Sequence, residues 1–171
     1  MVEVKHFRYL YGQTDISNAI ILTSRDAKAS EQKAISVLIE EIEKRAEIKL
    51  PVIYNFPDDS KPVIVVGTEE SLKDIIQAYV YLLDKLEKPG KEGYRILVKK
   101  DKQPVVFIVG SDSRGVLYGV GKFLRKLSWG KGFIKIAEDL AISMTPKYPL
   151  RGHQLGYRPK TNAYDAWTVE Q

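Results

Sequence analysis

The densest set of chemistry-bearing side chains lies between residues 151 and 167. Arg151 and Arg158 supply planar donors suited to hydroxyls and carboxylates. His153, Gln154, Asn162 and Asp165 add hydrogen-bonding groups, and Tyr157, Tyr164 and Trp167 add flat apolar faces with polar handles. That inventory suits a polar ring such as a sugar, which offers hydroxyl edges and C–H faces. Arg151, His153, Tyr157 and Trp167 are therefore the candidate substrate-binding residues. An ordered linker docking on its own domain, or a disordered end, is the competing reading of the same stretch.

A second candidate is the run Gly110-Ser-Asp-Ser-Arg-Gly115, followed by Gly119 and Gly121. It follows an apolar run and opens a helical pattern, a context that can bind phosphate through backbone N–H groups and the helix dipole. The Gly-Lys-Ser/Thr ending of a P-loop is absent, and the glycine spacing does not match a dinucleotide fingerprint. The structural reading is preferred: Asp112 or Ser113 caps the helix, and Gly115 and Gly119 allow close approach to a neighbour. Lys122, Arg125, Lys126 and Lys131 with Trp129 make a small basic patch. It reads more readily as a solvated helix end than as a nucleic-acid surface. Paired carboxylates are not signposted. Asp58-Asp59 sits in turn chemistry beside Pro57 and Ser60, and Glu40-Glu41 and Glu69-Glu70 fall on helix surfaces or caps. The two histidines, His6 and His153, are far apart and no Ser-His-Asp set has motif support. A catalytic apparatus complete within this chain is not expected.

The elements that must position these residues follow from periodicity. Ile20-Ile21-Leu22 suits a buried strand. Ser30 is the expected cap of a helix from about Glu31 to Glu47, with Ile35, Leu38, Ile39, Ile42 and Ala46 on one face. Leu50 to Ile53 reads as a short edge strand, because proline is tolerated there. Val63 to Val66 is a second buried strand. Thr68 then caps a helix expected to run to about Glu87, along Leu72, Ile75, Ile76, Tyr79, Leu82, Leu83 and Leu86. Tyr94 to Lys99 and Pro104 to Val109 form a hairpin, which argues against a purely parallel sheet. A third helix uses Val116, Leu117, Val120, Leu124 and Leu127. Phe133 to Glu138 and Ala141 to Met144 close the sheet. Strands interleaved with helices give an α/β (α+β) fold with a mixed sheet and about three helices. From Thr145 the pattern stops, and Pro146, Pro149 and Pro159 punctuate a stretch with too little apolar material for its own core. The boundary falls near Met144 to Pro149, giving domains 1–148 and 149–171.

Composition narrows the classes. The 171 residues contain no Cys, which excludes disulfide frameworks, Cys-zinc sites and thiol nucleophiles. Two histidines argue against a multi-His metal site, and no cofactor is expected. A net charge of +5, from 27 basic against 22 acidic residues, is mildly basic and fits a solvated, mixed-charge surface. Met1 to Tyr11 has no apolar core, so it is no signal peptide. The longest apolar runs fall far below the roughly 18 residues that span a bilayer. The chain as given reads as soluble and cytoplasmic, with export of a longer parent left open.

The order of several short motifs adds a resemblance. Glu92-Gly-Tyr-Arg-Ile-Leu-Val98, then Val105 to Gly110, then Asp112-Ser-Arg-Gly-Val-Leu-Tyr-Gly119 and Leu124 to Leu127 resemble the N-terminal α/β domain that precedes the catalytic barrel in two groups of enzymes. These are the β-N-acetylhexosaminidases (glycoside hydrolase family 20) and the α-glucuronidases. The resemblance covers residues 15 to 150. It implies a zincin-like, hexosaminidase domain-2-like mixed sheet with helices packed on one face, doing no chemistry itself. Tyr148-Pro-Leu-Arg-Gly152 looks like the start of barrel strand one, where by position Arg151 would bind the sugar. The stretch from His153 to Trp167 departs from the hexosaminidase sequence and looks closer to another branch of barrel-type glycoside hydrolases. The resemblance places the catalytic acids beyond Gln171, since a barrel needs roughly 250 residues. The implied partners are the carbohydrate substrate of a parent enzyme and its catalytic barrel in cis, with neither nucleic acid nor membrane. The parent would cleave glycosidic bonds with two carboxylates or with a substrate acetamido group. The alternatives are a self-contained carbohydrate-binding module using the aromatics after Gly152 and, less favoured, a nucleotide or nucleic-acid binder.

Overall fold

A computed structural model describes residues 12–152. Along the chain come β1 (Gln13–Asp15), β2 (Ile20–Leu22), α1 (Ala29–Ala46), β3 (Val52–Ile53), β4 (Val63–Thr68), α2 (Lys73–Ile76), a 3-10 turn (Gln77–Tyr79) and α3 (Val80–Leu83). They are followed by β5 (Tyr94–Lys99), β6 (Val105–Gly110), α4 (Ser113–Leu124), β7 (Ser128–Gly130), β8 (Phe133–Ala137) and β9 (Ala141–Met144).

The apolar runs β4 and β6 are buried at every residue and lie side by side, in parallel, at the centre of a six-stranded sheet of order β3-β2-β4-β6-β5-β9. Strands buried on both faces lose the polar alternation of a one-sided sheet, which is why these two read as continuous Val/Ile runs. β2 pairs in parallel with β3 and β4, while β5 pairs antiparallel with both β6 and β9. The sheet is therefore mixed, as the hairpin requires. β3 lies at one edge, where Pro51 costs no ladder hydrogen bond. A small sheet, β1-β8-β7, joins the start of the domain to its end.

One face carries α1 and α4, whose Ile35, Leu38, Ile42, Val116, Val120 and Phe123 meet Ile21, Ile64, Ile96 and Ile108 from the sheet. The opposite face packs Leu72, Ile76 and Leu83 on Leu22, Val65, Phe107 and Val109. Leu97, the apolar residue on the outer side of β5, packs against this second core.

Helices were expected on one face only, but the α2–α3 segment covers the other, because the alternate residues of β2, β4 and β6 are apolar as well; four local expectations also change. Ser30 does not cap α1; Lys28 holds the cap position without a side-chain bond, and Ser30 is an exposed residue of the first turn. The single helix expected to Glu87 is three short pieces, because the Gln77–Tyr79 turn resets the register and seats Tyr79 between Phe56 and Phe107, at ring distances of 5.6 and 5.1 Å. Leu117 lies on the solvent side of α4, and Phe123 fills the core in its place. The strands β1 and β7 carry no periodic signal in three residues each and were not expected.

Candidate functional site

The turn from β6 into α4 is where the glycine-rich run lies, and its polar groups are used within the domain. Asp112 caps α4 by accepting the Gly115 N–H at 2.9 Å, while its other oxygen accepts the Glu92 N–H at 2.7 Å. Ser111 donates its N–H to the Gly93 carbonyl at 3.0 Å and its hydroxyl to the Gly90 carbonyl at 2.7 Å. A Cβ on Gly115 would stand 2.1 Å from the Gly93 oxygen, so only glycine lets α4 come this close. The run stitches the loop before β5 onto the helix. The N–H groups of Ser111, Gly115 and Val116 are spent on protein acceptors, and the Asp112 carboxylate itself caps the helix, which favours the structural reading of the run over a phosphate cradle.

That stitching presents Glu92. Its backbone is left-handed, with φ 59°, and its side chain is largely buried, 12% exposed. One carboxylate oxygen accepts from Arg114 at 2.8 Å, and the other pairs with the Arg151 guanidinium. The same guanidinium lies over the Tyr118 ring, 5.3 Å from its centroid. Glu92 raises the Arg114 pKa through a side-chain hydrogen bond. Beside this clamp is an open cleft of about 510 Å³, lined by Tyr94, Leu117, Tyr118, Gly121, Arg125 and Met144 together with Arg151 and Gly152. Burial pushes the Tyr94 phenol up, against the opposing effect of Arg125.

Of the four sequence candidates, the structure describes Arg151, which it places on Glu92 and Tyr118. His153, Tyr157 and Trp167 lie outside the described residues. Sequence reasoning did not single out Glu92, although it opens the Glu-Gly-Tyr motif.

A second carboxylate, Glu31, is fully buried in the first turn of α1. It accepts from the Ser71 hydroxyl at 2.7 Å and the Thr68 N–H at 3.3 Å, with the Thr68 and Ser113 hydroxyls at 3.5 Å. It joins the starts of α1 and α4 to the end of β4. Both helix N-termini favour its negative charge.

Several of the other candidates make structural contacts. Lys131 pairs with Glu47 at 2.9 Å, and Trp129 packs against the core beneath Arg45, 5.0 Å from its guanidinium. Asp59 accepts the Lys61 N–H within a turn, and Glu69 pairs with Arg95. Among the described residues no group of His, Asp and Glu could hold a metal ion, and no helix is long and apolar enough to cross a membrane.

Residues 12–123, well over half of the chain, match the family described as "Glycosyl hydrolase family 67 N-terminus". The chain belongs to that family. Solved structures share the fold. A family GH115 4-O-methyl-α-glucuronidase with specificity for decorated arabinogalactans superposes with TM-score 0.55 at 19% identity, over 77% of this chain and 18% of that one. The chitobiase of Flavobacterium johnsoniae gives TM-score 0.52 at 16% identity, over 84% and 20%. A GH20 exo-β-N-acetylglucosaminidase from Vibrio harveyi gives 0.50 at 14%, over 80% and 17%. The chain thus spans about a fifth of the length of these enzymes. No curated protein matches it in sequence. The family and the fold agree with the resemblance read from the motif order: this is a glycoside hydrolase N-terminal domain with a mixed sheet.

Proposed function

We propose that the domain is the non-catalytic N-terminal part of a carbohydrate-cleaving enzyme, and that residues 149–171 begin its catalytic barrel. The family match over residues 12–123 carries this reading. Two features of the molecule support it. Three carboxylates of the described domain are spent on internal bonds: Glu31 and Asp112 on backbone and hydroxyl donors, Glu92 on two arginines. After β9 the chain leaves the sheet through Pro146 and Pro149 and reaches Arg151 at an open cleft. In this reading the domain packs on the barrel in cis and supports its first strand. The substrate is the carbohydrate of the parent enzyme, with Arg151, His153, Tyr157 and Trp167 contributing to its binding when the barrel is present.

The test is the coding sequence after Gln171, followed by assay of the whole product on aryl glycosides. A continuing frame of barrel length that yields a glycosidase, inactive without it, is the expected result. A stop codon directly after Gln171 would sink the proposal. Saturable oligosaccharide binding by the 171-residue chain alone, lost in Arg151→Ala and Trp167→Ala, would make it a binding module instead.

A further inference from the structure

Glu92 sits in a strained backbone. It is one of two described residues other than glycine that are left-handed, at φ 59°. The other, Glu47, closes the end of α1, where such residues are common, and its side chain is exposed. Glu92 lies instead in the loop between α3 and β5. Glycine would adopt this backbone freely. Glycines stand nearby at 90 and 93, neither of them left-handed, and the strained position between them carries a largely buried carboxylate.

Each hold on this loop also fixes that carboxylate. The Glu92 N–H bonds Asp112 at 2.7 Å, and the next residue, Gly93, lies against Gly115 of α4. Arg114 takes one carboxylate oxygen at 2.8 Å, which leaves the other for Arg151. Arg151 uses a single nitrogen, Nη2, for this bond. A guanidinium carries its donors in one rigid plane, so fixing one nitrogen and covering one face with Tyr118 orients all the others. Among the described residues those other donors have no acceptor, and Arg151 stands in the lining of the 510 Å³ cleft. An arginine held before its ligand arrives loses less side-chain freedom on binding.

We propose that Glu92 is the positioning residue for Arg151, holding its guanidinium so that the remaining N–H groups meet the hydroxyls of the substrate. This rests on the reading that Arg151 binds the carbohydrate of the parent enzyme. It adds that a residue of the non-catalytic domain sets the affinity of that site.

Two measurements test it. The first uses the 171-residue chain. In nitrogen-15 spectra of the arginine side chains, the Arg151 guanidinium should rotate slowly in wild type and freely in Glu92→Gln, with the backbone amide spectrum otherwise kept. Free rotation in wild type would overturn the proposal. The second uses the whole product of the coding sequence and the aryl glycoside it cleaves. Arg151→Ala should raise KM about tenfold through loss of charged hydrogen bonds. Glu92→Gln, which keeps the shape and removes the charge, should raise KM about fivefold with kcat held. Glu92→Asp keeps the charge but falls a methylene short; it should do the same, and it stands in if Glu92→Gln does not fold. The double variant of Glu92→Gln with Arg151→Ala should be no worse than Arg151→Ala alone. A merely structural role would lower kcat with the folded fraction and leave KM in place. If Arg151→Ala leaves KM unchanged, or the frame stops after Gln171, the substrate reading of Arg151 fails and this proposal with it. If Arg151→Ala raises KM while neither Glu92 variant does, or if the two effects add in the double variant, the positioning role alone fails.

Discussion

The two faces of the six-stranded sheet are built by different means. On one, α1 and α4 are regular helices whose geometry does the work: apolar residues recur on one side, Asp112 closes an N-terminus, and Gly115 brings backbone against backbone. On the other, α2, the 3-10 turn and α3 are too short to hold themselves. Side chains pin them instead. Tyr79 stacks against Phe107, and the buried Arg95 reaches from β5 to bond the Leu83 carbonyl at 3.0 Å and to pair with Glu69. The first face depends on close approach, and the second on a few long side chains that are replaceable one by one.

The sharpest attack on that contrast is Gly115→Ala. The new methyl meets a backbone oxygen that cannot move aside, and a loss of about 3 kcal/mol is expected from overpacking, measured by denaturant unfolding. A loss under about 1 kcal/mol would mean the faces do not differ in this way. Next comes Glu31→Ala, which removes the 2.7 Å acceptor of the Ser71 hydroxyl and leaves it only the longer bond to the Thr68 carbonyl at 3.3 Å; about 2 kcal/mol is expected. Arg95→Met is the counterpart on the other face. The guanidinium is buried with Nε unpartnered, and an apolar residue of similar length can fill the space. A cost of about 1 kcal/mol or less is expected, and a cost equal to that of Glu31→Ala would erase the distinction. The smallest effect is a pH limb. Burial raises the folded-state pKa of Tyr94. The stability tied to the neutral phenol is therefore complete below the usual tyrosine value of about 10, and it drains as pH rises through the folded-state value. Tyr94→Phe should flatten that alkaline decline, followed by circular dichroism, and an unchanged decline would place the phenol in solvent.

The same contrast decides what was legible in the sequence. The face of α1, the central strands and the hairpin are local patterns, each read with its type and place correct, and the cap of α4 was narrowed to Asp112 or Ser113, of which Asp112 holds it. The Leu72 to Leu86 stripe has as good a period as α1, yet it breaks, because Tyr79 and Arg95 pull on it from residues that no window includes. Ser30 has the right chemistry for a cap but stands two residues past the cap position, Lys28. Leu117 fits the stripe of α4 by count but turns outward. At the candidate site, Arg151 was visible as a residue type, whereas its partner Glu92 lies 59 residues away. Glu31 draws its donors from 37 to 82 residues away. Such pairings follow from topology and leave no mark on neighbouring residues.

The pairing of β1 with β8, Gln13 opposite Ala137 and Asp15 opposite Lys135, has a consequence for biosynthesis. On the ribosome the first strand emerges when its partner is more than a hundred residues from being made, and at about 5–20 residues per second that interval lasts many seconds. The small sheet therefore cannot close until residue 137 is made, with only the edge strand β9 of the large sheet still to follow. Gln13 and Asp15 are polar and exposed, with only Thr14 turned inward. A strand that must wait so long for its mate is kept short and hydrophilic, which guards a nascent chain against pairing with its neighbours on the same message.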